Sequence, residues 1–253
     1  MKVLPIFTSA YSFRSILTLD KPEDVDEGGA DSIVKICKEE KLPICYLVED
    51  NMVGLLEAKK NLGKDVQLAF GLRLTFCLDM EVKTEESRKT ESKYVIFARN
   101  AKGYTRLVEI FTKANVDGYY ENGPRMDFKT LKASWSDEDL LLVVPFYDSF
   151  IHKNAATLST CVPDFTFTSP TFFIESNGLF IDEVIERAIN EFDKEGAYER
   201  QQVKSIYYKM RADFLAWQTY KCIKNESTLR VPNLTGCSSD EFCFESWKEA
   251  NEK

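Results

Sequence analysis

Ile44-Cys45-Tyr46-Leu47-Val48 is an unbroken apolar run of strand length, with a helical pattern before it and another after it. A strand that is apolar at every position is buried on both faces, and such strands separated by helices belong to a parallel sheet. Most of the chain repeats this alternation. Residues 3–8 read as a first strand, followed by a loop with six acids between Asp20 and Asp31 that Gly28-Gly29 interrupts. A helix is predicted over 32–40, with Ile33, Ile36 and Cys37 on one face and Lys41-Leu42-Pro43 ending it. Beyond the 44–48 run, Asp50 or Asn51 is placed to cap a helix that turns Val53, Leu56 and Leu62 inward.

Residues 67–71 and 74–76 read as a strand interrupted at Gly71, and 83–92 as a polar, charge-mixed hairpin or loop. Strands follow at 94–98, 140–144 and 171–175. Helices are expected over 103–114 (Leu107, Val108 and Phe111 inward), 181–192 (Ile181, Val184, Ile185, Ala188 and Phe192) and 213–223. With no internal repeat and no low-complexity linker, the fold class is α/β, a mostly parallel sheet or barrel in a single domain over 1–253.

Composition narrows the chemistry. There is one histidine, His152, so any mechanism needing two His as ligands, bases or relays is excluded. The seven cysteines form no C-x-x-C, which leaves no spacing for a structural zinc site and fits free buried thiols of a reducing cytoplasm. Basic residues number 33 against 41 acidic, and a net charge of −8 disfavours coating of nucleic acid. Binding of single strands through aromatics and a local basic strip is disfavoured on the same ground. No apolar run reaches the roughly 18 residues of a membrane span, and charge and Pro arrive too early in Met1-Lys2-Val3-Leu4-Pro5 for a secretory signal.

Several short pieces occur in a telling order. Tyr11-Ser12 follows the first strand, Asn51-Met52-Val53-Gly54 follows the buried run, and Gly71 opens the next strand segment. Then come Ala98-x-Asn100-x-x-Gly103-Tyr104 with Leu107, Gly118-Tyr119-Tyr120 and Asp127-Phe128-Lys129-Thr130-Leu131. Near the end stand Cys222-Ile223, Thr228-Leu229, Pro232-Asn233 and Ser238-Ser239-Asp240-Glu241-Phe242. In this order and spacing the chain resembles the PHP (polymerase and histidinol phosphatase) domain that opens bacterial DNA polymerase III alpha subunits. The resemblance implies a distorted (β/α)7 barrel with metal ions at the strand ends and metal-assisted phosphoester hydrolysis.

At the ligand positions of that family this chain differs. The first-strand pair falls on Thr8 and Ala10, the pair after the second strand on Val48 and Glu49, and the next acid on Arg73. The following His falls on Lys93, and the late pair on Ser205 and Tyr207. Glu49 alone keeps a metal-binding group, and two positions have become cationic. The resemblance therefore implies the fold without the activity: no cofactor, no metal, no catalytic residues. What it implies instead is a protein-interaction module of DNA replication, binding a replisome component such as a proofreading exonuclease or polymerase subunit, or mimicking the alpha subunit's own domain. The resemblance stops after Ser246-Trp247-Lys248-Glu249, so no palm, thumb or fingers is expected, and a free-standing phage-type copy is implied.

Other readings of the same residues stay open at this stage. A residual phosphoesterase or nuclease would rebuild an acidic site around Glu49. Arg73 and Lys93, facing one another across the vestigial cleft, would contact an anion or a partner's carboxylate, or form ion pairs with Glu49 or neighbours. His152 reads as structural, and Glu49/Asp50 and Asp79/Glu81 as cap and loop. Phe165-Thr166-Phe167 and Tyr119-Tyr120 are either packing or partner anchors.

Overall fold

The computed structural model describes residues 2–121, 123–157, 159–224, 226 and 239–252. The pieces Thr228-Leu229, Pro232-Asn233 and Ser238, and with them Cys237, lie outside the described residues. In chain order the first half holds β1 (Leu4–Phe7), α1 (Ile33–Glu39), β2 (Ile44–Glu49), α2 (Leu55–Leu62), β3 (Gln67–Phe76), β4 (Ser92–Ala98) and α3 (Ala101–Val116). The second half holds β5 (Arg125–Met126), α4 (Phe128–Ala133), β6 (Leu140–Val144), α5 (Phe150–Ala156), β7 (Thr171–Ile174), α6 (Phe180–Phe192), β8 (Glu199–Ile206), α7 (Phe214–Lys224) and α8 (Phe244–Glu252). The architecture is mixed α/β with mostly parallel pairing. Among the described residues no helix is long and apolar enough to cross a membrane.

The chain forms two compact units. The first comprises Met1–Phe70, Glu175–Leu179 and Gln202–Lys253. Here β1 lies parallel to β2, with Ile6 opposite Tyr46, and parallel to β8, with Ile6 opposite Ser205. Ile6, Phe7, Cys45, Leu47, Val203 and Ile206 are buried along these strands. The Ser32 hydroxyl accepts the Lys35 N–H to start α1, which buries Ile33, Val34, Ile36 and Cys37. On the other side Phe244 stacks on Phe7 at 6.0 Å, and the Trp247 indole N–H donates to the Val3 carbonyl.

The second unit comprises Gly71–Ile174 and Phe180–Gln201. Its β4 runs antiparallel to both β3 and β6, while β3 pairs parallel with β5 and β6 with β7. Tyr94 sits in an aromatic core within 6.3 Å of Phe76, Phe128, Phe150 and Phe165. Phe165 thus belongs to the packing, and Phe167 lies 6.5 Å from Phe128. The Asn100 side chain accepts the Gly103 N–H to start α3, and Asp127 does the same for Thr130 in α4. Gly103 has a steric reason: a Cβ there would lie 2.0 Å from the Asp139 carbonyl oxygen.

Several sequence expectations are corrected. α2 starts at Gly54 with no side-chain cap, because Asp50 pairs with Arg14 and Asn51 binds the Tyr11 carbonyl and the Val53 N–H. It buries Leu55, Ala58, Asn61 and Leu62, so Val53 and Leu56 point outward, 69% and 72% exposed. β3 is continuous through Gly71, whose missing Cβ makes room for the Phe97 ring. α3 turns Leu107, Ile110 and Ala114 inward and leaves Val108 exposed, and α6 buries Ile185 and Ile189 rather than Val184. β5, α4, α5, β8 and α8 were not foreseen.

Candidate functional site

In a parallel sheet the strand C-termini lie at one edge, so the ends of β1, β2 and β8 gather in the first unit. Four of the positions singled out in the sequence meet there: Thr8, Val48, Glu49 and Tyr207. The Thr8 hydroxyl donates to the Val48 carbonyl at 3.0 Å. Glu49 is fully buried, and one of its oxygens accepts the Ser9 N–H at 2.8 Å. Its other oxygen accepts the Ser12 hydroxyl, which in turn accepts the Asp50 N–H at 2.8 Å. Burial raises the Glu49 pKa above the usual carboxylate range, although the Ser12 and Ser9 donors and the Arg14 charge oppose it.

The centre of this arrangement is a side chain the sequence reading passed over. The Arg14 guanidinium donates to the Thr8 hydroxyl at 3.2 Å and lies 3.5 Å from the Val48 carbonyl. Its Nε is 3.3 Å from the Asp50 carboxylate, and its carbon stands 5.7 Å from the centre of the Tyr207 ring. A cation from the chain itself therefore stands against three of the positions singled out in the sequence. Ala10 brings no side-chain donor; its N–H bonds the Leu17 carbonyl. The Arg14 carbonyl accepts the Trp217 indole N–H at 2.8 Å, and Ser15 bonds the Tyr207 carbonyl. The segment from Ser9 to Ser15 is thus held at nearly every residue.

Ser205 takes part in a second buried cluster of the same unit. Its N–H and hydroxyl both donate to Glu175, at 3.0 and 2.8 Å, and Asn177 donates to the same carboxylate at 3.0 Å. Burial raises the Glu175 pKa against these donors. Next in β8, buried Lys204 donates to the Ser176 carbonyl and to Glu241, each at 3.1 Å. Glu241 also accepts from Arg211 at 2.9 Å and from the Ser246 hydroxyl, and these bonds outweigh burial to bring its pKa down to about 2. Glu175 had one sequence signal, its place at the end of a buried strand. Arg14 had one as well, two residues beyond the Tyr11-Ser12 pair.

Arg73 and Lys93 belong to the second unit. In the β3–β4 register Arg73 is opposite Val95 and Lys93 opposite Thr75, so the two cations are diagonal neighbours on one sheet face. That replaces the expectation of two cations opposed across a cleft. Arg73 is buried and pairs with Asp148 at 2.5 Å; Lys93 donates from Nζ to Thr75 at 2.6 Å and from its N–H to the Asp148 carbonyl at 2.7 Å. Asp148 adopts a left-handed conformation, φ 61°, and its N–H donates to His152 Nδ1 at 2.8 Å. His152 thereby completes the start of α5, whose Ser149 cap accepts the His152 N–H. Burial holds the imidazole below its usual pKa, consistent with an acceptor nitrogen.

Metal chemistry of the kind the family resemblance implies needs several free oxygen or nitrogen donors on one centre. The residues present do not fit it: Ala10 and Val48 have no side-chain donor, Thr8 is bonded to Val48, and both Glu49 oxygens are bound by Ser9 and Ser12. Among the described residues no three His, Cys, Asp or Glu side chains group as a metal site requires. Asp79 and Glu81 form an exposed turn in which Asp79 accepts the Glu81 N–H. Compared with known proteins, the chain matches no family model and no curated protein.

Proposed function

We propose that this chain is a non-catalytic PHP-like protein of the distorted (β/α)7 barrel type, acting in the cytoplasm as a protein-interaction module of DNA replication. Its partner in this reading is a replisome component, a proofreading exonuclease or a polymerase subunit, with the alpha subunit's own domain as the surface it imitates. The mostly parallel α/β architecture and the ordered motif pieces support the family. The observation that carries the loss of chemistry is Glu49. It is the one former ligand position with a carboxylate, and its two oxygens tie down the Ser9 N–H and the Ser12 hydroxyl. A carboxylate in that role fixes a loop, and among the described residues it is part of no group of three His, Cys, Asp or Glu side chains of the kind a metal cluster needs.

The test is binding of a purified proofreading exonuclease subunit by calorimetry, alongside manganese-dependent hydrolysis of bis(p-nitrophenyl) phosphate. The expected result is a one-to-one complex with no hydrolysis. Absence of a complex together with metal-stimulated hydrolysis would replace this reading with a rebuilt phosphoesterase.

A further inference from the structure

The loop that Glu49 holds carries two exposed aromatics. Phe13 is 60% exposed and sits in the left-handed region, φ 54°. That conformation is costly for a bulky residue, and such strain gathers at functional positions. Tyr11, 39% exposed, lies against the start of α2: a Cβ on Gly54 would meet the Tyr11 ring at 2.7 Å. The Tyr11 hydroxyl donates to Glu57 at 2.6 Å, and its carbonyl accepts from Asn51 at 2.8 Å. Beside it stand the outward-facing Val53 and Leu56. Tyr11 and Phe13 thus stand exposed on a loop fixed by buried bonds and so ordered before any partner arrives, and Val53 and Leu56 stand exposed on either side of the Gly54-Leu55 pair where the Tyr11 ring packs.

The charges that act on Tyr11 are acidic. Leu19 and Asp20 begin the acidic loop and abut the same place: Leu19 touches the Gly54 site, its carbonyl accepts from Asn61 at 2.8 Å, and Glu57 foremost, with the Asp20 charge adding, raises the Tyr11 pKa. Within the loop Glu23 pairs with Lys21 and Asp31 with Lys209. Asp24, Asp26 and Glu27 are exposed and make no ion pair among the described residues. The cations of α2, Lys59 and Lys60, stand in its last turn.

We propose that Tyr11, Phe13, Val53 and Leu56 form a docking surface for a partner segment with apolar anchors flanked by Lys or Arg, the acidic loop supplying the complementary charge. This deepens the interaction-module reading and rests on it only for the partner's identity. Apolar anchors in such a site carry the affinity, and the charges carry orientation and salt dependence.

The probe is a fluorescein-labelled peptide with a Leu-x-x-Phe pair flanked by two lysines on each side, read by anisotropy against its Glu-flanked twin. The parent protein is expected to bind the Lys-flanked peptide and not the twin. The double variant V53E/L56E alters only exposed positions, and Phe13→Gly relieves the left-handed strain. Both are expected to keep the parent's melting temperature or raise it while losing about tenfold or more in affinity. Equal binding of the two peptides, no binding by the parent, or unchanged binding by both variants would overturn the surface. Exonuclease that binds parent and V53E/L56E alike would overturn the surface and leave the replication reading intact. Peptide binding lost in the variants, with no exonuclease binding to the parent, would do the reverse.

Discussion

Removing the Glu49 side chain leaves the Ser9 N–H and the Ser12 hydroxyl buried without their acceptor, and stranded buried donors cost about 1–3 kcal/mol. Glu49→Ala is therefore expected to lower unfolding free energy by about 2–3 kcal/mol in urea denaturation. Glu49→Gln keeps one acceptor oxygen, and the Ser12 hydroxyl can turn to accept from the new amide, so a loss of about 1 kcal/mol or less is expected. Equal losses in the two variants would contradict this role. Glu241 responds to acid in the opposite sense from a carboxylate hindered by burial. Its folded pKa of about 2 lies below the ordinary 4.5, so its contribution is present above about pH 4.5 and lost as pH falls toward 2. The stability gap between the parent and Glu241→Gln should be widest at neutral pH and close between pH 4.5 and 2; a gap independent of pH would refute it. At this scale the sequence singled out Glu49 as the one carboxylate among its candidate positions. It did not show the bonds that occupy Glu49, because Ser9 and Ser12 have no apolar period or charge to mark them.

Among the elements, α3 gives the sharpest case. The Ala98-x-Asn100-x-x-Gly103 piece combines a helix cap with a close approach: Asn100 takes the Gly103 N–H, and the helix start comes up against the Asp139 carbonyl. A methyl group on Gly103 would meet a backbone oxygen that no rotamer change can move. Gly103→Ala is thus expected to cost about 3 kcal/mol or more, read as a lower denaturation midpoint with an unchanged slope. A loss under about 0.5 kcal/mol would mean the helix start is free to shift. The strands with apolar runs, β2, β6 and β7, were legible because burial on both faces leaves no polar position to confuse the pattern. β8 was not, since Glu-Arg-Gln-Gln-Val-Lys-Ser-Ile reads as a polar stretch. Its Lys204 and Ser205 are polar because they bind Glu241 and Glu175 inside the unit, a tertiary demand that local pattern cannot reveal. Helix faces failed for a related reason: Val53, Leu56 and Val108 are apolar yet exposed, and hydrophobicity alone does not say which side of a short helix meets the core.

For the whole molecule, the first unit holds both the buried Glu49 and the exposed Tyr11 and Phe13. The strand ends of this unit carry Arg14 and a carboxylate bound to a loop, and that loop presents Tyr11 and Phe13 to solvent. A net charge of −8 disfavours coating of nucleic acid. The internal cation was not legible in the sequence, because only the fold brings Arg14 to Thr8, Val48 and Tyr207.

The measurement that bears most directly on Glu49 as a loop-holding carboxylate is a manganese and zinc titration followed by thermal melting, with bound metal counted in the same samples. Metal that binds the native state at a hundredfold excess over its dissociation constant adds about 2.7 kcal/mol, or roughly 5–10 °C for a chain of this size. The account predicts no bound equivalent and no change in melting temperature. A stoichiometric ion with a melting temperature that climbs as metal rises would contradict it.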